Sequence, residues 1–330
     1  MILSKFGIMK RNVIYGETEA ETDMQIIEHT TEFQLTRKSA VAIGKFDGVH
    51  LGHLELISKI IEHKKENCHA VVFTFDTSAA AFFGGEEKEL TTKAEKRRIF
   101  DEMGIDVLIE FPLNKETAAT KPEEFVQGYL AGRMKAGYIC AGYDLSFGKN
   151  GAGNYALLEK YADRYGYRTE LIDKIRVGGE EVSSTRVREA VRLGQMESAA
   201  AMLGKPYSVS GCVEHGKRLG RTIGMPTANL VPEKDKLLPP NGVYYSKVMI
   251  DGQEYKGISN IGCKPTVSDG GIVGVETYLY DFDADLYDRE ITVNLLAFRR
   301  PEMKFGDIDS LKRQMEADIA AGREYDASFV

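Results

Sequence analysis

Two histidines three residues apart, His50 and His53, close the segment Ala42-Ile-Gly-Lys-Phe-Asp-Gly-Val-His-Leu-Gly-His53, where an apolar run passes through a glycine turn. Residues at this spacing share one helical face. The pattern from Leu51 to Glu62 predicts a helix, so both imidazoles fall in its first turn. Free N–H groups and the positive end of the helix dipole attract anions at such a place. Gly44, Gly48 and Gly52 let the backbone come close to a ligand, and Phe46 and Asp47 complete the turn. The chemistry expected is the holding of a polyphosphate by donors that need no fixed charge. A single histidine here is more often a helix cap, but two histidines, three glycines and Asp47 coincide. Zinc is the other reading of His-x-x-His; it needs at least a third ligand, and no cysteine lies near in sequence. No Gly-x-x-x-x-Gly-Lys-Ser/Thr loop occurs, so nucleotide phosphates would be held without one.

Three further segments carry chemistry. Val182-Ser-Ser-Thr-Arg-Val-Arg-Glu189 opens a predicted helix with Ser184 or Thr185 as N-cap. Arg186 and Arg188 then lie where the dipole disfavours cations; an anionic ligand resolves the conflict, and pairing with Glu189 or Asp173 does so equally well. Gly216-Lys-Arg-Leu-Gly-Arg-Thr-Ile-Gly-Met-Pro-Thr-Ala-Asn229 interleaves cations with glycines. Its Lys217 and Arg221 suit phosphate, and Thr227 and Asn229 offer hard oxygens suited to Mg²⁺. A flexible basic loop is the weaker reading, because Pro226-Thr-Ala-Asn229 is stiff. In Gly274-Val-Glu-Thr-Tyr-Leu-Tyr280, strand alternation sets Glu276 on the face of Tyr278 and opposite Val275. It is either a general base in a barrel mouth or, on spacing alone, a solvated carboxylate.

The elements that must position these groups follow two rhythms. The runs Val41 to Ile43, Ala70 to Phe75, Val107 to Phe111 and Tyr138 to Ala141 alternate with helical patterns near 51–66, 93–103 and 122–136. This βαβα order predicts a parallel sheet with helices on both faces, and ligands beyond the carboxyl ends of its strands. A helical pair is expected at 185–193 and 195–203, after which the rhythm changes at Gly204. Ser208 to Val213, Val243 to Ile250, Lys256 to Ile261, Val273 to Tyr280 and Glu290 to Phe298 read as strands of a compact antiparallel barrel, with an amphipathic helix Ile308 to Ala321 against it.

A chain of 330 residues can bury two cores. Net charge is −7 with both signs mixed along the sequence, which disfavours broad attraction to nucleic acid or an anionic membrane. No apolar run reaches the length of a membrane span and no signal-like core opens the chain, so a cytoplasmic location is expected. Cys68, Cys140, Cys212 and Cys263 lack CxxC spacing and read as thiols in a reducing compartment. Residues 1–23 end in an acidic run and read as a loose extension.

In sequence order, Gly44-Lys-Phe-Asp-Gly-Val-His-Leu-Gly-His53, Thr74-Phe-Asp, Leu90-Thr-Thr, Gly142-Tyr-Asp-Leu-Ser-Phe-Gly148, Ser183-Ser-Thr-Arg-Val-Arg188, Gly224-Met-Pro-Thr-Ala-Asn229, Pro240-Asn-Gly-Val-Tyr244, Ile261-Gly-Cys-Lys-Pro-Thr266 and Val275-Glu276 resemble the motifs of the prokaryotic bifunctional riboflavin kinase/FMN adenylyltransferase family over about residues 24 to 325. The resemblance implies a Rossmann-like nucleotidyltransferase domain over 24–205 and a small β-barrel riboflavin kinase domain with a C-terminal helix over 206–330. It implies ATP as co-substrate, Mg²⁺, and riboflavin, FMN and FAD as substrates or products. His50 and His53 would bind ATP polyphosphate and stabilise departing pyrophosphate. Gly44, Phe46, Asp47, Gly48, Gly52, Gly142, Asp144, Ser184, Thr185 and Arg188 would hold the nucleotide for adenylyl transfer. Gly216, Lys217, Arg221, Gly224, Thr227 and Asn229 would hold ATP in the kinase, with Thr227 and Asn229 at the Mg²⁺. Glu276 would accept the proton of the ribityl 5′-hydroxyl, and Phe298 to Phe305 would approach the flavin.

Two departures touch the flavin side of the first domain: Thr77-Ser-Ala-Ala-Ala-Phe-Phe83 replaces the common Pro-His-Pro after Asp76, and Leu145 replaces an aromatic. A chain that keeps only the kinase, and a flavin-binding regulator without turnover, are the alternatives. The set His50, His53, Thr227, Asn229 and Glu276 argues against the regulator, which needs no catalytic groups. Oligomeric state is open.

Overall fold

The computed structural model describes residues 24–77, 82, 84–85, 88–215, 224–264 and 272–325. In its first part β1 (Gln25–Glu28), β2 (Ser39–Ile43), α1 (Leu51–Glu62), β3 (His69–Phe75), α2 (Lys93–Glu102) and β4 (Val107–Phe111) are followed by α3, which begins at Pro122–Glu124 and widens over Phe125–Arg133. Then come β5 (Ala136–Gly142), α4 (Tyr155–Tyr165), β6 (Arg168–Ile172) and a small hairpin of β7 (Arg176–Val177) and β8 (Glu180–Glu181). The sheet is six-stranded in the order β1-β4-β3-β2-β5-β6, and every pairing in it is parallel.

Alternation within the strands divides the apolar residues between two cores. Val41, Ile43, Val71, Phe73 and Ile109 pack into one, against Phe125 and Leu130 of α3. Ala40, Ala42, Val72 and Leu108 pack into the other, against Ile57 and Ile60 of α1. A parallel strand covered on both faces reads as an unbroken apolar run, which is why Ser39–Ile43 and Val107–Phe111 are buried throughout. The strand order reverses between β2 and β5, so the loops leaving their carboxyl ends flank a switch point, where such sheets bind ligands.

The second part holds α5 (Ser184–Arg192), α6 (Met196–Leu203), β9 (Tyr207–Glu214), β10 (Thr227–Leu230), β11 (Gly242–Ile250), β12 (Gln253–Lys264), β13 (Ile272–Leu279), β14 (Glu290–Arg300) and α7 (Ile308–Glu324). The strands close into a barrel, β10-β13-β12-β11-β14-β9, antiparallel throughout. Ser246, Ser259 and Thr277 are buried and join their hydroxyls at 2.8 and 2.7 Å, so no polar side chain of this trio is left unpaired. Val243, Tyr245, Ile258 and Tyr280 face the other way and pack with Ile319 and Ala321 of α7.

The chain resolves into two compact units. One ends at Glu87 and resumes over Lys93–Val182; the other joins Lys88–Thr92 to Ser183–Val330. The helical pair α5 and α6 therefore groups with the barrel, whereas the sequence rhythm sets the division near Gly204. The short strap Lys88–Thr92 is held by backbone bonds from Glu89 N to Asp235 O at 2.6 Å and from Leu237 N to Glu89 O at 2.7 Å, and by Lys236 Nζ on Leu90 O at 2.8 Å.

Candidate active sites

In the first unit, Gly44 leaves β2 with its N–H on Phe73 O at 3.1 Å. The backbone then takes left-handed conformations at Phe46 (φ 51°), Gly48 (φ 86°) and Val49 (φ 41°). Glycine adopts this region freely, but a β-branched residue there is an outlier that costs about 1–3 kcal/mol. Burial offsets it: Phe46 and Val49 are fully buried. The Phe46 ring meets Phe100 edge-on at 5.6 Å and lies 5.1 Å from the His53 ring. Gly44 lies beneath the Phe46 ring, where a Cβ would stand 3.2 Å from it. Such strain, held in place by packing, is a mark of a functional loop.

The loop delivers His50 as the N-cap of α1, where its Nδ1 accepts from the His53 N–H at 3.4 Å. That bond leaves the proton of the neutral ring on Nε2, as a donor. The rings of His50 and His53 stack at 3.7 Å and 13°. Gly52 keeps the stack open, since a Cβ there would lie 3.3 Å from the His50 ring. The His53 Nδ1 is buried with no hydrogen-bond partner among the described residues. Burial holds the His50 pKa down to about 4 against the opposing pull of Asp144, and burial, then His50, pushes His53 well below the ordinary range. Both rings are neutral at pH 7. Asp144 follows β5 across the switch point, and a Cβ at Gly142 would meet its Oδ1 at 3.0 Å. Gly44, Phe46, Asp47, Gly48, His50, Gly52, His53, Gly142 and Asp144 therefore all stand on the two loops or the helix turn at the carboxyl ends of β2 and β5.

Ser184, Thr185 and Arg188 lie on α5, in the second compact unit. The N-cap there is Ser183, accepting from Arg186 N at 3.4 Å, rather than Ser184 or Thr185. The Arg188 guanidinium donates to Lys88 O of the strap.

In the second unit, Thr227 and Asn229 belong to strand β10, where the sequence suggested a stiff loop. Register sets Thr227 opposite Tyr278 and Asn229 opposite Glu276, and from the other side Asn260 of β12 also faces Glu276. Glu276 shares the face of Tyr278, which packs beneath α7. It thus stands on the outer wall of the barrel and not in its mouth. It lines a cavity of about 250 Å³ with Thr227, Asn260, Tyr278, Arg300 and Asp318, walled by Met303, Phe305 and Met315. A second cavity, about 470 Å³, is lined by Gly224, Pro226, Thr227, Phe282, Asp285 and Tyr287. Thr227 lines both. Asn229 is 7 % exposed and its Nδ2 donates to Thr227 O at 3.2 Å, which frees Oδ1. The Thr227 hydroxyl and the Asn229 amide oxygen are hard donors of the kind that fits Mg²⁺, and the Glu276 carboxylate is a cross-strand neighbour of Asn229.

Sequence reasoning missed the buried pair at the end of the first cavity. Asp318 of α7 is 2 % exposed and accepts from Arg300 Nε at 2.8 Å and from Gln314 Nε2 at 3.2 Å. Arg300 falls in the segment Phe298 to Phe305 that the resemblance sets near the flavin, but nothing in the sequence pairs it with an aspartate one helix later. Gly216, Lys217 and Arg221, most of Thr77 to Phe83, and the extension 1–23 lie outside the described residues.

Two family models match: FAD synthetase over residues 32–186 and riboflavin kinase over 203–325. The chain is 34 % identical to a bifunctional riboflavin kinase/FMN adenylyltransferase of Listeria monocytogenes, over 91 % of this chain and 96 % of that one. It is 35 % identical to proteins of the same description from Escherichia coli K12 (86 % and 92 %) and Bacillus subtilis (85 % and 90 %). A solved structure described as a macrolide-efflux protein from Streptococcus pneumoniae is 30 % identical with a TM-score of 0.82, over 92 % of this chain and 99 % of that one. No described helix of this chain is long and apolar enough to cross a membrane.

Proposed function

The chain belongs to the bifunctional riboflavin kinase/FMN adenylyltransferase family, and from that premise we propose how its residues divide the two reactions. It is a transferase that phosphorylates riboflavin to FMN with ATP and adenylylates FMN to FAD.

Adenylyl transfer is assigned to the first unit. The FMN phosphate attacks the α-phosphorus of ATP, and the bond to pyrophosphate breaks. Negative charge gathers on the departing oxygens, so the catalyst needs fixed donors more than covalent chemistry. The Nε2–H of His50, the Nε2 of His53 and the first N–H groups of α1 supply them. Neutral rings suit a site that must release pyrophosphate, since they donate without a lasting charge. Asp144 would repel phosphate, so it serves the nucleoside hydroxyls or a bound cation.

Phosphorylation is assigned to the barrel. The observation that carries it is Thr227 lining both cavities, with Glu276 in one of them. ATP occupies the larger cavity and its γ-phosphate reaches Thr227; riboflavin occupies the smaller, beneath α7. Glu276 takes the proton of the 5′-hydroxyl as its oxygen attacks the γ-phosphorus and ADP departs. Thr227 and Asn229 would hold Mg²⁺, which when bound would neutralise charge on the phosphates.

Incubation with Mg²⁺-ATP and either riboflavin or FMN, followed by chromatography, tests the reading. FMN and then FAD are expected from riboflavin, FAD from FMN, and neither after chelation of the metal. Failure of FMN to yield FAD would leave the kinase alone, and binding without any product would leave a regulator.

A further inference from the structure

We propose that His63, Cys140 and Glu170 form a binding site for a divalent cation of the zinc type, at the end of α1 opposite the paired histidines. One ligand atom from each lies within 4.8 Å of the others. The three come from separate elements of one unit: His63 caps the C-terminus of α1, while Cys140 of β5 and Glu170 of β6 are register partners on one face of the sheet.

The surroundings are arranged as the outer shell of a metal ligand. The His63 Nδ1 pairs with Glu66 Oε1 at 3.0 Å, and the other oxygen of Glu66 accepts from the Tyr138 hydroxyl at 2.5 Å. The His63 ring stacks on Tyr138 at 3.7 Å and 14°. A carboxylate behind a histidine fixes its tautomer and orientation and leaves the Nε2 lone pair for a metal. Thiolate, imidazole and carboxylate together select zinc-like ions over Mg²⁺ or Ca²⁺, with a fourth position for water. On binding, the Cys140 S–H proton passes to solvent as the sulfur–metal bond forms, and nothing is oxidised or reduced.

One group competes. The Lys59 ammonium lies 3.4 Å from Glu170 Oε1. That pair is partly solvent-exposed on both sides and therefore weak, so a divalent ion displaces it. The bound ion would tie the C-terminal end of α1, which carries His50 at its other end, to β5, which leads to Asp144 two residues past its last residue, and to β6.

The test uses the full chain stripped of metal, with equilibrium dialysis against Zn²⁺ and absorption spectra with Co²⁺. Expected are one tightly held ion per chain and a thiolate-to-cobalt charge-transfer band. C140A should abolish the band, and H63Q should weaken binding by about 100-fold or more. E66Q, which removes only the supporting carboxylate, should weaken it by roughly 10- to 100-fold, and C212A should leave it unchanged. Zinc should raise the melting temperature of the wild type and not that of H63Q. H63Q also decides the matter if C140A does not fold, because His63 lies at a helix end outside the core. Absence of the thiolate band, or equal zinc affinity in wild type and H63Q, would overturn the proposal.

Discussion

His50 carries a cost that can be measured. Its folded pKa of about 4 lies below its ordinary value of 6.5, so between these values the unfolded chain binds the proton more readily. Stability is therefore complete above pH 6.5 and falls as the pH drops toward 4, by about 3 kcal/mol for this group. H50Q, which cannot titrate, should lose that part of the acid dependence. Urea midpoints at pH 7 and pH 4.5 measure it, and an equal fall in both proteins would contradict the assigned burial. At Glu276 the expectation is kinetic: E276Q should slow riboflavin phosphorylation by roughly 10²- to 10⁴-fold, the range for loss of a general base. Adenylylation of supplied FMN should persist in E276Q, and a kinase rate within a few-fold of wild type would remove Glu276 from its role. The pairing of the histidines on one helical turn and the face that Glu276 shares with Tyr278 were legible as local patterns, whereas Glu276 as a base rested on the family resemblance and not on spacing. The depth of burial that lowers both pKa values was not legible.

Helix α7 roofs the cavity that contains Glu276, and Asp318 fixes it through Arg300 of β14. Removing the charge from a buried pair leaves the partner uncompensated at a cost of about 3 kcal/mol. D318N should lower the melting temperature and raise KM for riboflavin, while FAD formation from FMN keeps its KM. Steady-state kinetics with each flavin separates these, and unchanged KM for riboflavin would detach α7 from substrate binding. Elements with strong periodicity were legible: β2, β3, β4, α1 and the long barrel strands follow the expected runs within a few residues. Edge strand β1, Gln25–Glu28, is short and half-polar, and only pairing with β4 makes it a strand. Strand β10 was hidden because Pro226-Thr-Ala-Asn229 lacks apolar alternation, and its two flanking partners, β9 and β13, supply the order. Asp318 and Arg300 could not be joined from sequence, since nothing local relates a strand end to a helix position.

At the scale of the whole chain there are two compact units, to which the two proposed sites are assigned one each, and α5 and α6 fall in the second of them. Because α5 and α6 group with the barrel, a fragment beginning at residue 183 should be more stable to urea than one beginning at 206. Equal midpoints would show that the helical pair adds nothing to the barrel. If the reactions are separate, variants at one site must spare the other. Wild type, the double variant H50A/H53A and E276Q would each be given Mg²⁺-ATP with riboflavin or with FMN, and the flavins resolved by chromatography over time. H50A/H53A should accumulate FMN and make no FAD, and E276Q should make FAD from FMN but almost no FMN from riboflavin. Loss of both activities together in either folded variant would contradict that separation.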